Sequence, residues 1–171
     1  VLAVFDNQLV TSNFNEIVNT TNGKKTVYLP DGSTVILKKG TKIIFPRAFD
    51  PDKRVIYMMG EAFFEIRKNA AKPFYVYTNE MIAKVLGTSF SIQATDLEDE
   101  VKLLVKSGVV EVYKRDSKNA SEKSSANTQV LKNQLLTLNR HTGATQIQKI
   151  ANTPLLDMEV ESESFSFERT P

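Results

Sequence analysis

The chain has 171 residues, enough for one domain or for one domain with a fragment attached. Its 22 Lys and Arg nearly balance 20 Asp and Glu, and a net charge of +2 gives no polyelectrolyte drive toward nucleic acid or anionic lipid. It has no cysteine and a single histidine, which excludes a disulfide framework, a thiol nucleophile, Cys-ligated zinc and a multi-His metal centre. What remains is a binding or structural module rather than a catalytic one.

Val1–Phe5 is apolar but far short of the roughly 20 residues that span a bilayer. It reads as a short entry strand or disordered lead, or as the outer end of a membrane helix cut away here. From residue 25 onward, short β-prone runs alternate with turn residues about every 8–12 positions. Lys25–Leu29 alternates polar and apolar. Pro30-Asp31-Gly32 then turns the chain, since Pro sets φ, Asp bonds the backbone ahead and Gly accepts positive φ. Thr34–Leu37 is the return strand, and Lys39-Gly40 leads to Thr41–Phe45. Arg54–Met59 and Ala62–Ile66 read as strands separated at Gly60. Phe74–Thr78 follows Pro73, and Met81–Val85 precedes Gly87 and Ser89–Ala94. Val101–Lys106 and Val109–Tyr113 flank Ser107-Gly108 and form the strongest hairpin signal in the chain. Residues 115–128 contain no apolar side chain larger than Ala and read as a mobile loop. Strands resume at Gln129–Leu131, Gln134–Leu138 and, after Thr142-Gly143, Ala144–Lys149. A weak helical pattern covers Thr153–Val160. The expectation is an all-β fold of about 10–13 short strands, an antiparallel two-layer β-sandwich, jelly-roll-like or wound as a short solenoid.

Several patterns imitate chemistry. Glu61 and Glu65 could suggest a glycosidase carboxylate pair, but nothing in the sequence fixes their separation, and they are expected on opposite or staggered positions. Asp96, Glu98, Asp99 and Glu100 cluster after a strand without the spacing of a calcium loop. His141 lies in a turn. Gly87-Thr88-Ser89-Phe90 lacks the second glycine of a nucleophile elbow. Asn19 and Asn119 begin glycosylation triplets, which are common by chance. Lys24-Lys25 and Lys38-Lys39 are too short for a nucleic-acid face. No catalytic residue, cofactor or metal is expected.

Five motifs occur together in order. Val27-Tyr-Leu-Pro-Asp-Gly-Ser-Thr-Val35, Gly60-Glu-Ala-Phe-Phe-Glu-Ile66, Lys72-Pro-Phe74, Val85-Leu-Gly-Thr-Ser-Phe-Ser-Ile92 and Ser107-Gly-Val-Val-Glu-Val112 resemble the FecR family of sigma-factor regulators. The resemblance covers roughly residues 26–113, with weaker similarity to about 153. Ser91 stands where the family usually has Asn. The aromatic, often Trp, that usually precedes the final run is missing, with Met158 in its vicinity.

This resemblance implies an anti-sigma factor with a cytoplasmic sigma-binding domain, one inner-membrane helix and this part in the periplasm. It divides the chain into a lead over residues 1–24, a β domain over 25–153, and a linker over 154–171 that opens a truncated C-terminal domain. The implied partners are the signalling domain of a TonB-dependent outer-membrane transporter and, through the absent cytoplasmic domain, an extracytoplasmic-function sigma factor. The fragment itself is expected to be a monomer with no enzymatic activity. A carbohydrate-binding β-sandwich is the alternative, and it would show exposed coplanar aromatics. The motif residues are expected to be structural, with Gly32, Gly60, Gly87 and Gly108 in turns and Leu29, Phe64, Phe74, Leu86 and Phe90 in the core. Pro30, Asp31, Glu61, Pro73 and Thr88 complete the set. An unpaired edge near the C-terminus would suit strand addition by a partner.

Overall fold

The computed structural model describes residues 13–115 and 123–151. The end segments singled out above, the weak helical pattern at 153–160 and the triplet at Asn119 lie outside them. Thirteen strands make up the described fold: β1 Phe14–Val18, β2 Lys25–Tyr28, β3 Thr34–Leu37, β4 Lys42–Pro46, β5 Arg54–Glu65, β6 Phe74–Tyr77, β7 Met81–Val85, β8 Ser89–Ala94, β9 Glu100–Ser107, β10 Val110–Arg115, β11 Lys123–Val130, β12 Gln134–Asn139 and β13 Thr145–Lys149. The all-β, largely antiparallel expectation holds, and β5–β6 is the parallel exception.

The strands belong to two halves joined by β5. The first runs β1-β4-β5-β6-β7-β10-β11 and the second β2-β3-β5-β8-β9-β12-β13. Residues 54–59 of β5 pair with β4 and β6, whereas residues 60–65 pair with β3 and β8. Alternation sorts the side chains of several strands. Arg54, Ile56 and Met58 point inward on β5, as do Phe74 and Val76 on β6 and Phe90 and Ile92 on β8. The inward residues of both halves form one core cluster.

Gly60 sits where β5 passes from one half to the other. Its φ of +121° is closed to L side chains, and a Cβ there would lie 2.5 Å from Thr41 Oγ1 and 2.8 Å from Thr41 Cα. Thr41 occupies that space with purpose: its hydroxyl accepts from Glu61 N–H and donates to Glu61 C=O, both at 2.9 Å. The sequence reading placed a break at Gly60, but the strand continues through it. Glycine permits a bend inside the strand rather than a turn between two. Gly60→Ala should therefore destabilise by about 2–3 kcal/mol, because it combines backbone strain with a clash against main chain. Gly40→Ala, at a φ of +80° with open space around it, should lose about 1–2 kcal/mol. Equal urea midpoints for the two variants would contradict this account.

The chain repeatedly crosses between the halves. The strongest hairpin signal marks one such crossing. Gly108 does turn the chain at a φ of +81°, but β9 pairs with β8 and β12 while β10 pairs with β7 and β11, so the two flanking strands are not partners. A tight glycine turn reverses the chain whether or not the strands then pair. Here a Cβ would collide with the Thr88 side chain and meet Gly87 C=O at 3.1 Å, so the turn is pressed onto the neighbouring β7–β8 connection.

Two further expectations need correction. Lys123–Thr128, read as loop, is the first part of β11 and pairs with β10 from Arg115↔Lys123 to Val110↔Val130. An edge strand is held by backbone bonds and needs few apolar side chains, which is why composition misread it. β1 falls inside the stretch read as a lead and pairs with β4.

Candidate interaction surfaces

The motif residues converge on a buried arginine that none of the motifs contains. Arg54 is 1% exposed. Its Nη1 donates to Asp31 Oδ2 and to Arg67 C=O, and its Nε to Lys72 C=O, each at 2.8 Å. Nη2 reaches Leu86 C=O at 3.4 Å and Asn69 C=O at 3.5 Å, and the guanidinium lies 5.2 Å from the centre of the Phe74 ring. Asp31 in turn accepts from Ser33 N–H at 2.9 Å and from Ser33 Oγ at 2.8 Å, while Ser33 Oγ accepts from Arg67 N–H at 2.9 Å. The Pro30-Asp31-Gly32 turn is thereby locked to the start of β5, to the segment before β6 and to the residue that follows β7. Gly32 takes a φ of +88° and Pro30 is exposed, while Pro73 C=O accepts from Arg54 N–H at 2.8 Å.

Leu29, Phe64, Phe74 and Phe90 are buried as expected. Leu86 is not. It is 43% exposed, because alternation after inward Val85 turns it outward, and only its carbonyl enters the network through Arg54 and Asn69 N–H. Gly87 serves close packing rather than positive φ, since a Cβ would lie 2.5 Å from Lys68 Cα. Thr88 is buried, and its C=O accepts from Ile66 N–H at 2.9 Å. Asn19 is fully buried, with Nδ2 donating to Gly23 and Leu37 carbonyls at 2.8 Å, so it closes a turn.

The patterns that imitated chemistry fall into ordinary roles. Glu61 and Glu65 lie on the same face of β5, on either side of Phe63, and four strand residues separate them by about 13 Å. That spacing exceeds glycosidase geometry, and Glu61 is held by Lys38 at 2.7 Å. The shallow recess beside this pair, about 340 Å³, is lined by Lys24, Lys38, Lys39 and Thr95 among others. His141 Nε2 stands 3.2 Å from Asp99 Oδ1 on an exposed turn. Among the described residues no group of three or more His, Asp or Glu could hold a metal ion.

Three surfaces could meet a partner. The outer face of the first half gathers tyrosines: Tyr57, Tyr77 and Tyr113 lie in register across β5, β6, β7 and β10 with Ile82 between the last two, and Tyr75 is one row away. The Tyr57 and Tyr77 rings are 5.2 Å apart and inclined by 41°, so they do not form the coplanar platform expected of a glycan binder. Arg115 lies 5.3 Å from the Tyr77 ring. Burial, with Tyr57 adding to it, raises the Tyr77 phenol above its ordinary value near 10, and Arg115 opposes the shift. The folded state then holds this proton more tightly than the unfolded chain. The contribution is complete below about pH 10 and is lost as pH rises beyond it. Tyr77→Phe should flatten the alkaline limb of a stability-versus-pH curve; an unchanged limb would show that Tyr77 does not shape it.

The outer face of the second half carries a smaller apolar row of Ile36, Phe63 and Leu104, with Leu135 and Ile150 packed against it. The third surface is the edge of β13, which has no second partner strand among the described residues and where all five residues are exposed. No helix among the described residues is long and apolar enough to cross a membrane.

Comparison with known proteins gives a consistent result. The profile described as FecR protein matches residues 15–111, more than half of the chain. Two crystal structures assigned as anti-sigma factors from Parabacteroides distasonis ATCC 8503 are similar to most of this chain, which spans less than two thirds of their own length. One has a TM-score of 0.71 and 31% identity, covering 80% of this chain and 60% of its own. The other has a TM-score of 0.74 and 30% identity, covering 85% and 64%. None of the curated proteins matches the chain. The FecR match over more than half of the chain shows that the chain belongs to the FecR family, and the two structural likenesses agree with it.

Proposed function

We propose that this domain is the periplasmic relay of an inner-membrane anti-sigma factor. It receives a signal from the signalling domain of a TonB-dependent outer-membrane transporter and controls release of an extracytoplasmic-function sigma factor. The observation that carries this reading is the FecR match over residues 15–111, joined to the likeness to two anti-sigma factors. The physical features support it: a hydrogen-bonded buried frame, with strand edges unpaired among the described residues, suits protein recognition. The motifs that look chemical serve the frame.

The reading is tested by capture. The immobilised domain, extended to include the residues that follow it in its own full-length protein, should retain the purified signalling domain of the transporter encoded beside it. Retention should fall when Ile147 at the β13 edge is replaced by proline. Failure of the extended protein to retain that domain at micromolar concentrations would overturn the transporter as partner.

A further inference from the structure

We infer that the free edge of β13 is a strand-addition site for an extended, acidic segment of another protein. The inference takes from the relay reading only the existence of a partner. Asn139 N–H donates to Ala144 C=O at 2.9 Å and Ile150 N–H to Asn133 C=O at 2.8 Å. With the register Thr137↔Gln146 and Leu135↔Gln148, the even-numbered residues turn their backbone groups toward β12. Thr145, Ile147 and Lys149 turn theirs away, and among the described residues no strand takes them up. Ile147 lies opposite the fully buried Leu136, on the core side of the sheet, yet is 37% exposed. Among the described residues nothing covers the core at this edge, and an added strand could extend it. The usual guards of an edge are missing: β13 has no proline and no register shift, and Lys149 is its one charge.

Charge selects the occupant. From Lys123 to Ala151 the chain has Lys123, Lys132, Arg140 and Lys149 and no carboxylate. Arg140 Nε faces Glu80 at 3.0 Å, and Asp99 stands beside His141 at the Thr145 end. Lys102 lies on the outer face, across Thr137 from Gln146. At the other end Lys132 and Lys149 have no carboxylate partner among the described residues. A second copy pairing antiparallel would set Lys149 opposite Thr145, where Glu80 and Asp99 already face Arg140 and His141, whereas a segment with carboxylates facing the Lys149 end matches it.

The probes are two short acetylated peptides, one alternating Val with Glu and one alternating Val with Lys. Amide exchange is read by NMR on the full chain. With the Glu peptide at about ten times its dissociation constant, the Ile147 and Lys149 amides should exchange about tenfold more slowly. The Lys peptide should leave them unchanged. Ile147→Pro removes only an outward donor, so it should abolish the protection while the Gln146 and Gln148 amides keep theirs. Lys149→Glu should transfer the preference to the Lys peptide. Protection by neither peptide overturns the edge as a site, and equal protection by both overturns the acidic partner. A dimer that Ile147→Pro dissolves would make a second copy the occupant and overturn the inference. A transporter domain retained equally by wild type and Ile147→Pro would leave the relay reading standing and overturn the edge.

Discussion

Arg54→Met should destabilise the domain by about 3–5 kcal/mol, the range for removing one member of a buried pair. Methionine fills much of the volume, so the loss is electrostatic and hydrogen-bonding rather than steric. Arg67, Lys72 and Asn69 would keep their carbonyls turned toward an apolar side chain, and each buried acceptor without a partner costs about 1–3 kcal/mol. Asp31 is 16% exposed at its side chain and can regain some water, so Asp31→Asn should cost less, about 1–2 kcal/mol. Arg54→Lys should recover only part of the loss, because an ammonium cannot reach acceptors spread over both edges of a planar guanidinium. Denaturant midpoints for the three variants check the order. A change below about 1 kcal/mol for Arg54→Met would refute the role of the frame.

Phe90→Ala is the second large effect, again about 3–5 kcal/mol, from lost transfer energy and the cavity left behind. Phe90 is fully buried and stacks on Phe64 at 5.0 Å with the rings 12° from parallel. The two residues face each other in the β5–β8 register, so the stack fastens the shared strand to its neighbour. Phe90→Leu should lose far less, since it keeps most of the apolar volume. The aliphatic replacement costing as much as alanine would mean that ring geometry, not burial, carries the stability. Leu86→Ala, by contrast, should stay within about 0.5 kcal/mol at its exposed site.

Much of the fold was legible because alternation is a local signal. The strands around Val27, Val76, Ile92 and Leu136 stand where the pattern put them. The same rule, applied one residue further, would have turned Leu86 outward, and it would have flagged Arg54 as a charge in phase with Ile56 and Met58. Motif reading missed Arg54 because its partners lie 13 to 32 residues away, and only the folded topology brings them together. The pairing of β9 and β10 was misread for a different reason. A glycine turn announces a reversal, but which sheet each strand joins is decided by long-range pairing. Lys123–Thr128 shows the limit of composition, since backbone bonds at an edge leave no mark on side-chain hydrophobicity. The interaction surfaces were least legible. The edge at β13 is defined by the absence of a second partner strand among the described residues, and that is a property of the whole sheet.

β5 carries a mechanical consequence. Its two ends are ordinary members of different halves, and no linker separates them. The halves therefore have no seam along which one could melt while the other persisted. Hydrogen exchange at Ile56 and Phe64 should report a common opening free energy, that of the entire domain. Loosening either half would therefore strain the strand that the other half also needs.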